Sequence, residues 1–313
     1  MDEPTNGAPA AEAPASRTRR GKRLVGASLV GFVGLAAAYV DPLYVRPAVP
    51  DDVIPEERMP GALRVLTLNV AHGRGVAFHQ SFARPAHIRR NLDAIARLIR
   101  LSDADVVALQ ELDAASAWSG GFDHLEYLAE RSGYPHAYHG LHVDRGFPRL
   151  QYGTGVLSRF PIGDAHSHAF DLNALDTKGY VRVRVEGPAG AVDVVSLHLD
   201  FKRDAERRAQ LDILSTHLGR RANPAPELVV AGDFNCTLAG GVLREFARRH
   251  ALAAAAQGDG TFPARRPRRR IDYVLVSGGL SIRRRLAVPV EVSDHLPVLV
   301  DVLPQRRAAA RVR

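Results

Sequence analysis

The chain has 313 residues, of which 46% are hydrophobic, so it can bury the core of one large α/β domain or of two ordinary ones. Its single cysteine, Cys236, excludes an internal disulfide and a zinc site built on cysteine spacing. The formal charge of +8 predicts a polyanionic partner such as nucleic acid or an acidic lipid surface, although many of the arginines lie outside the predicted domain.

The first forty residues have the composition of a targeting segment. Residues 1–23 predict a disordered basic N-terminus, because an Ala- and Pro-rich stretch without periodicity is followed by a cluster of basic residues. The next seventeen residues, 24–40, carry no charge and approach the ~20 that cross a bilayer. We expect either a signal-anchor or a cleaved signal peptide. The basic flank predicts that everything after Val40 lies beyond the inner or plasma membrane, either anchored to it or secreted.

The remaining chain divides into three parts. Residues 41–60 contain five prolines and predict an extended Pro-rich tether. Residues 61–304 alternate strand-like and helix-like patterns and predict one catalytic domain, and residues 305–313 form a basic tail. We expect strands at 63–70, 105–111, 152–162, 180–185, 192–199, from 229, and at 270–276, 280–288 and 296–303, with helices from Pro85 and at 122–132, 206–219 and 240–250. The polar, Tyr- and His-rich segment 134–142 predicts a loop.

This order of elements predicts an α/β fold. Strands in series with intervening helices, several of them alternating in polarity, favour two mixed sheets packed face to face with helices outside.

Polar residues lie at the ends of six of the strand-like runs. A buried strand that reaches Gly232 and then offers Asp233 and Asn235 places both side chains at its C-terminal edge, the usual position of a site in a layered α/β protein. This pair alone would more often mark a turn, because Asp and Asn also open turns. Five other runs meet polar residues in the same way, at Asn69, Glu111, His198, Asp272 and the pair Asp294–His295. The recurrence indicates one polar site at the strand ends.

Six short motifs, in the order LNV, LQE, SLH, GDFN, ID and SDH, resemble the successive signature motifs of the endonuclease/exonuclease/phosphatase superfamily. They extend over almost the whole predicted domain, from about residue 63 to 303. That superfamily includes deoxyribonucleases, exonuclease III-like repair enzymes, sphingomyelinases and inositol polyphosphate phosphatases. The resemblance implies a four-layered α/β sandwich that hydrolyses phosphate esters with a divalent metal.

The resemblance also implies metal ligands. Hydrolysis of a phosphodiester needs a cation on a phosphate oxygen, a base for the water and donors for the added charge. Asn69, Glu111 and Asp294 would supply hard oxygen ligands suited to Mg²⁺ or Mn²⁺.

The catalytic roles follow from the same resemblance. Asp233 would accept or orient the proton of the water, and Asn235 would donate to the phosphate. Asp272 would hold His295 in one tautomer against the phosphate. His198 stands where deoxyribonucleases and sphingomyelinases carry a histidine and where apurinic endonucleases carry a tyrosine. This histidine disfavours abasic-site repair as the activity.

Basic residues near these motifs are candidates for substrate binding. Arg268, Arg269 and Arg270 belong to an Arg-rich loop that leads directly to Asp272, so they could guide a polyanion, although such charge runs are often only solvated. Lys178, just before a predicted strand, is a candidate phosphate contact.

These observations predict a monomeric, Mg²⁺- or Mn²⁺-dependent phosphodiesterase with nucleic acid as its leading substrate. A phospholipase C-like sphingomyelinase or a lipid or inositol phosphate hydrolase is the alternative, for which a membrane tether would make sense. A non-catalytic membrane-bound adaptor is a third possibility. The intact Glu111 and Asp233 count against it, because an adaptor would be expected to lose them.

Overall fold

The computed structural model describes residues 47–54, 57–77, 83–172, 177–187, 190–221 and 223–305. The predicted anchor or signal segment, 24–40, lies outside the described residues, as does almost all of the basic tail. Within the described ranges, no helix has both the length and the apolar character needed to cross a membrane.

Two mixed sheets of six strands each form the centre of the domain. The first contains β1 (Leu63–Asn69), β2 (Val106–Asp113), β3 (His136–Arg145), β4 (Leu150–Ser158), β11 (Leu280–Ala287) and β12 (Val298–Pro304), in the order β11-β12-β1-β2-β4-β3. The second contains β5 (Ile162–Ala169), β6 (Gly179–Gly187), β7 (Gly190–His198), β8 (Glu227–Asp233), β9 (Ala253–Ala254) and β10 (Asp272–Val276), in the order β5-β6-β7-β8-β10-β9.

Each sheet has one parallel pair at its middle, and these pairs position the polar strand ends. β1 pairs with β2 so that Asn69 lies opposite Gln110, one residue before Glu111. In the second sheet, β7 pairs with β8 so that His198 lies opposite Asp233. β10 runs antiparallel to β8 and places Asp272 opposite Asp233 from the other side. Parallel strands bring their carboxyl ends to the same edge, so these side chains collect there.

In the described part of the chain, four α-helices cover the outer faces of the sheets. They are α1 (Pro85–Ser102), α2 (His124–Ser132), α3 (Asp204–Leu218) and α4 (Gly241–Arg249). α1 and α2 pack on the first sheet through one apolar cluster, and α3 and α4 pack on the second through another. Between the sheets, mainly valine side chains of both inner faces form a third cluster, with Val183 and Val194 fully buried. The predicted four-layered α/β sandwich is therefore confirmed.

The prediction of a polar loop at 134–142 is wrong. This segment contains most of strand β3, which lies at the edge of the first sheet and has several exposed or half-buried side chains. An edge strand with a wet face carries His and Tyr at positions where a central strand carries Val or Ile, so its composition resembles that of a loop. For the same reason the sequence did not predict β5, the edge strand of the second sheet.

Part of the segment predicted as a tether contacts the domain. Val49 and Val53 are buried in the cluster that contains α1. Arg97 of α1 donates a hydrogen bond from Nε to the carbonyl oxygen of Val49 over 2.9 Å. Residues 47–54 are thus fixed to the outside of the first sheet.

Candidate active site

The two sheets contact each other through polar side chains at the edge where β1, β2, β7 and β8 end. Asn69, the last residue of β1, donates from Nδ2 to Asp233 Oδ2, at the end of β8, over 3.1 Å. The carboxylate of Glu111 on β2 lies 3.8 Å from His198 Nε2 at the end of β7. Residues that are far apart in the chain therefore face one another in one site.

His295 lies between two buried carboxylates. Its Nδ1 lies 3.0 Å from Asp272 Oδ2, and its Nε2 lies 3.7 Å from Asp233 Oδ2. Thr261 donates its hydroxyl proton to Asp272, and the ring of Phe262 stacks at 4.8 Å from that of His295. The imidazole is consequently fixed in position and in the direction of both nitrogens, as the predicted role of Asp272 requires.

The pKa values of Asp233 and His295 are both raised, which favours the neutral form of the carboxyl group and the charged form of the imidazole. Burial, reinforced by the charge of Asp272, raises the pKa of Asp233 to about 7 although His295 opposes the shift. For His295, burial by itself would lower the pKa, but the carboxylates of Asp272 and Asp233 raise it to about 10. At neutral pH the ring is therefore a cation, and Asp233 is a carboxyl group near its midpoint, the condition suited to a general base.

Asn235 supports Asp233. Its backbone N–H donates to Asp233 Oδ1 over 2.9 Å, and its side-chain Nδ2 donates to the carbonyl oxygen of Leu199 over 2.9 Å and to Asp233 Oδ2 over 3.3 Å. Asn235 has a φ of 52°, a left-handed conformation that Asn tolerates better than most residues. The amide thus holds the loop after β8 in place in addition to facing the site.

Glu111 lies at a bulge of β2, where its own φ is 54° and the pairing with β4 shifts register. This local break turns its side chain toward the site, a frequent use of bulges next to active sites. Burial would raise the pKa of Glu111, but the positive charges around it, that of His72 first, lower the pKa well below its usual range. The carboxylate is therefore ionised.

His72 belongs to the site although its position in the sequence gave no indication of it. Its Nε2 lies 3.6 Å from Glu111 Oε2, and its Nδ1 lies 2.7 Å from Asp113 Oδ2. Asp113 also accepts a hydrogen bond of 2.9 Å from the indole N–H of Trp118. The pKa of His72 is raised, because the attraction of Asp113 and Glu111 exceeds the effect of burial. His72 follows β1 in a short turn that looks like an ordinary connection.

Asp294 contacts an arginine that the sequence analysis did not consider. Arg74 donates from Nη2 to Asp294 Oδ2 over 2.7 Å. The neighbouring Ser293 donates its hydroxyl proton to the carbonyl oxygen of Asn69 over 2.6 Å, which ties the loop before β12 to the end of β1. The loop that carries Asp294 therefore lies next to Asn69, and a guanidinium partly balances the charge of Asp294.

His198 is held as a neutral imidazole. Burial, assisted by the positive charge of Lys178, lowers its pKa well below the usual value. Its Nε2 lies 3.5 Å from Asp233 Oδ2, so the ring faces the carboxyl group of Asp233. Lys178 also lowers the pKa of Glu111, which places its ammonium group within electrostatic reach of the site.

The three arginines of the basic loop have different surroundings. Arg268 and Arg269 are both exposed, and Arg269 also donates from Nη2 to the carbonyl oxygen of Asn235 over 3.4 Å. Arg270 turns away, because it donates to the carbonyl oxygen of Ala255 over 2.9 Å and lies over the ring of Tyr273. The structure thus brings only part of the predicted basic loop to the site.

Two groups of side chains could hold a divalent metal. Ligand atoms of Asp233, Asp272 and His295 lie within 4.8 Å of one another. A metal bound there would have to displace the proton that the raised pKa of His295 keeps on the ring at neutral pH. Glu111 fits better, since it is ionised, its side chain is 19% exposed, and the ring nitrogens of His72 and His198 lie 3.6 Å and 3.8 Å from its carboxylate, beyond normal hydrogen-bonding distance. A hard cation prefers such a carboxylate.

Comparison with known proteins agrees with this geometry. A sequence model described as the Endonuclease/Exonuclease/phosphatase family matches residues 66–295. The chain therefore belongs to this family, whose enzymes hydrolyse phosphate esters and use divalent metals.

Individual proteins extend the comparison. The chain is 28% identical over 272 residues to the Escherichia coli K12 protein named Uncharacterized protein YbhP, a match that covers 80% of this chain and 99% of YbhP. An endonuclease/exonuclease/phosphatase from Beutenbergia cavernae has a similar solved structure, with a TM-score of 0.63, 24% identity, and coverage of 78% of this chain and 72% of that one. Sphingomyelinase C from Streptomyces griseocarneus has a TM-score of 0.56, 20% identity, and coverage of 77% and 99%. At these identities the solved structures show the shared fold.

Proposed function

We propose that this phosphate-ester hydrolase is a Mg²⁺- or Mn²⁺-dependent phosphodiesterase that cleaves nucleic acid. One observation carries the proposal: the basic loop reaches the catalytic edge, where Arg269 contacts the backbone of Asn235, two residues after Asp233. An exposed arginine, Arg268, precedes it in the same loop. A cationic rim next to the base suits a polyanionic chain, because phosphates on both sides of the cleaved bond can be neutralised.

The chain's own residues divide the chemistry between them. Asp233 is positioned to take a proton from the attacking water, since its pKa lies near neutral pH. The protonated Nε2 of His295 lies 3.7 Å from the same carboxylate, so it can donate to a phosphate oxygen bound there. His198 is neutral and can donate a second hydrogen bond without adding charge. A metal held by Glu111, with Asn69 and Asp294, would polarise the phosphate and help the leaving alkoxide depart.

A hairpin at the same edge supports contact with bases. β3 and β4 are joined beside the site, since Tyr152 of β4 pairs with Asp113, two residues after Glu111. At the tip of this hairpin Phe147 is 97% exposed. Aromatic rings near a cationic groove bind single-stranded nucleic acid by stacking, whatever the sequence of the bases.

Exposed aromatic groups also favour a second candidate, a phospholipase C-like sphingomyelinase or another lipid phosphate hydrolase. Phe201, three residues beyond His198, is 54% exposed and lies beneath the ammonium group of Lys202 at 4.9 Å. Together with Phe147 it could enter a lipid surface around the cleft. The proposed anchor, residues 24–40, would hold the domain at the outer face of the inner or plasma membrane, and a cleaved segment would release it.

The two candidates are separated by a parallel assay of the full chain with Mg²⁺ and with Mn²⁺. The substrates are single- and double-stranded DNA, RNA, sphingomyelin vesicles and phosphoinositide vesicles, and Asp233→Asn serves as the inactive control. We expect cleavage of nucleic acid that the control loses. Hydrolysis of lipid alone would support the second candidate, and the absence of metal-dependent hydrolysis of any phosphate ester would contradict both.

A further inference from the structure

A second cavity, of about 500 Å³, lies on the outer face of the second sheet. Its walls are formed by β5, by β6 and by the C-terminal end of α3 with the residues that follow it. Val181 and Val183 of β6 are buried between the sheets, so the alternating residues Tyr180 and Arg182 point to the opposite, outer side. We call this cavity the outer pocket and define it by His168, Tyr180, Arg182, His217, Arg220 and Arg221.

Arginines outnumber carboxylates around the outer pocket. The buried Asp193 lies 2.9 Å from Arg184 Nε, 3.2 Å from Arg221 Nη1 and 3.5 Å from Arg182 Nη1. The more exposed Asp164 lies 3.1 Å from Arg182 Nη1 and 3.3 Å from Arg184 Nη2. These two carboxylates balance only two of the three guanidinium groups that they contact. A positive charge therefore remains.

Two further groups add donors at the mouth of the outer pocket. Arg220 is exposed and His168 is half-buried, and neither side chain forms a hydrogen bond or an ion pair with any residue that the structure describes. The ring of His168 lies edge-on to that of His217 at 4.5 Å, and Tyr180 Oη lies 2.5 Å from His217 Nδ1. The pKa of His217 is lowered first by burial and then by the charges of His168 and Arg220. The outer pocket therefore has side-chain donors without partners among the described residues, an excess of positive charge, and the rings of His168, Tyr180 and His217 along one wall.

We propose that the outer pocket binds a phosphate group outside the catalytic edge. Guanidinium groups form paired hydrogen bonds with phosphate oxygens, and a cavity of this volume accommodates a ligand of nucleotide size. The rings of His168, Tyr180 and His217 would face the base or sugar next to that phosphate.

The phosphate could belong to a small phosphate ester or to a nucleic acid strand that continues from the catalytic edge. Tyr180 stands two residues after Lys178, which acts electrostatically on Glu111 and His198. Two residues of extended chain span only about 7 Å, so the outer pocket begins close to the site. The binding of a nucleic acid strand in the outer pocket rests on the proposed nuclease function, whereas the binding of a phosphate group there does not.

The test compares Arg220→Glu with Arg248→Glu in the full chain. Both arginines are exposed, and the side chain of neither forms a hydrogen bond or an ion pair within the described ranges, but Arg248 lies on α4, outside the residues that line the outer pocket. The two variants therefore change the net charge equally. His168→Gln is a second variant that removes a donor without reversing a charge. Binding of inorganic phosphate, a nucleoside monophosphate and a labelled 20-nucleotide single strand is measured by calorimetry and fluorescence anisotropy in EDTA, which prevents cleavage.

We expect Arg220→Glu to weaken binding by about tenfold or more relative to Arg248→Glu, because a charge-assisted hydrogen bond to phosphate is lost. His168→Gln should weaken it in the same direction. If the substitutions weaken the binding of phosphate and the monophosphate alone, the outer pocket binds a small phosphate ester. If they also weaken the binding of the 20-nucleotide single strand, the outer pocket binds nucleic acid. Equal affinities of Arg220→Glu and Arg248→Glu for all three ligands would overturn the proposal. Pocket binding in a protein without nuclease activity would refute the proposed function alone.

Discussion

Asp272 Oδ2 lies 3.0 Å from Nδ1 of His295, which leaves the other ring nitrogen, Nε2, directed at Asp233. Both side chains are almost completely buried. Because water cannot replace a lost partner there, the carboxylate and the ring are expected to act as one unit.

The first prediction tests this unit by a double-mutant cycle. Asp272→Asn leaves His295 in place but allows the wrong tautomer, so its effect should overlap with that of His295→Ala. We expect the double variant to lose little more kcat than the worse single variant, with circular dichroism as the control for folding. A loss in the double variant equal to the product of the single losses would show that the two residues act independently.

The second prediction concerns Asp233 as the base. Its pKa of about 7 means that the carboxylate form is depleted as the pH falls below 7, so kcat/KM should decrease on the acid side. Asp233→Asn should lower kcat by ~10²–10⁴-fold and remove this acid limb from the profile. An unchanged acid limb in a folded, weakly active Asp233→Asn protein would assign the ionisation to another group.

The third prediction concerns the metal. Glu111→Gln should keep the fold but weaken the binding of Mg²⁺ and Mn²⁺ by about tenfold or more in calorimetry, because a hard cation loses an anionic ligand. Glu130→Gln is the matched control, since Glu130 is an exposed carboxylate on α2. Equal metal affinities of the two variants would remove Glu111 from the metal site.

The fourth prediction links His295 to stability. Its pKa is about 10 in the folded protein and about 6.5 in an unfolded chain, so the folded state retains a proton that the unfolded state releases between these values. The stabilisation is complete below pH 6.5 and is lost as the pH rises toward 10. The free energy of unfolding of the wild type, measured in urea and EDTA, should therefore decrease more steeply from pH 7 to 10 than that of His295→Gln. Parallel curves for the two proteins would contradict the raised pKa.

The fifth prediction concerns topology. If the basic residues before Leu24 stay inside, a reporter fused after Arg313 that works only in the cytoplasm should be silent. A matched fusion in which residues 1–40 are deleted should restore its signal. A strong signal from the full-length fusion would contradict the proposed orientation.

The sequence determined the order of the central elements and the kinds of side chains at their ends. Buried runs such as those of β1, β2 and β8 have a simple apolar signature, because central strands bury both faces. The motif residues Glu111 and Asp233 could therefore be placed at strand ends, and the fold inferred from them was the one observed. The edge strands β3 and β5 were missed since their wet faces remove that signature.

Only the tertiary structure decided which groups meet and in what charge state. His72 next to Glu111 and Arg74 next to Asp294 follow from contacts between separate elements, which no local pattern encodes. The pKa of Asp233 depends on burial and on Asp272 across the sheet pairing, and that of His198 depends on burial at the same edge. The outer pocket likewise exists because β6 presents alternate residues to the end of α3. Sheet register and helix packing, which are long-range properties, determine these proximities.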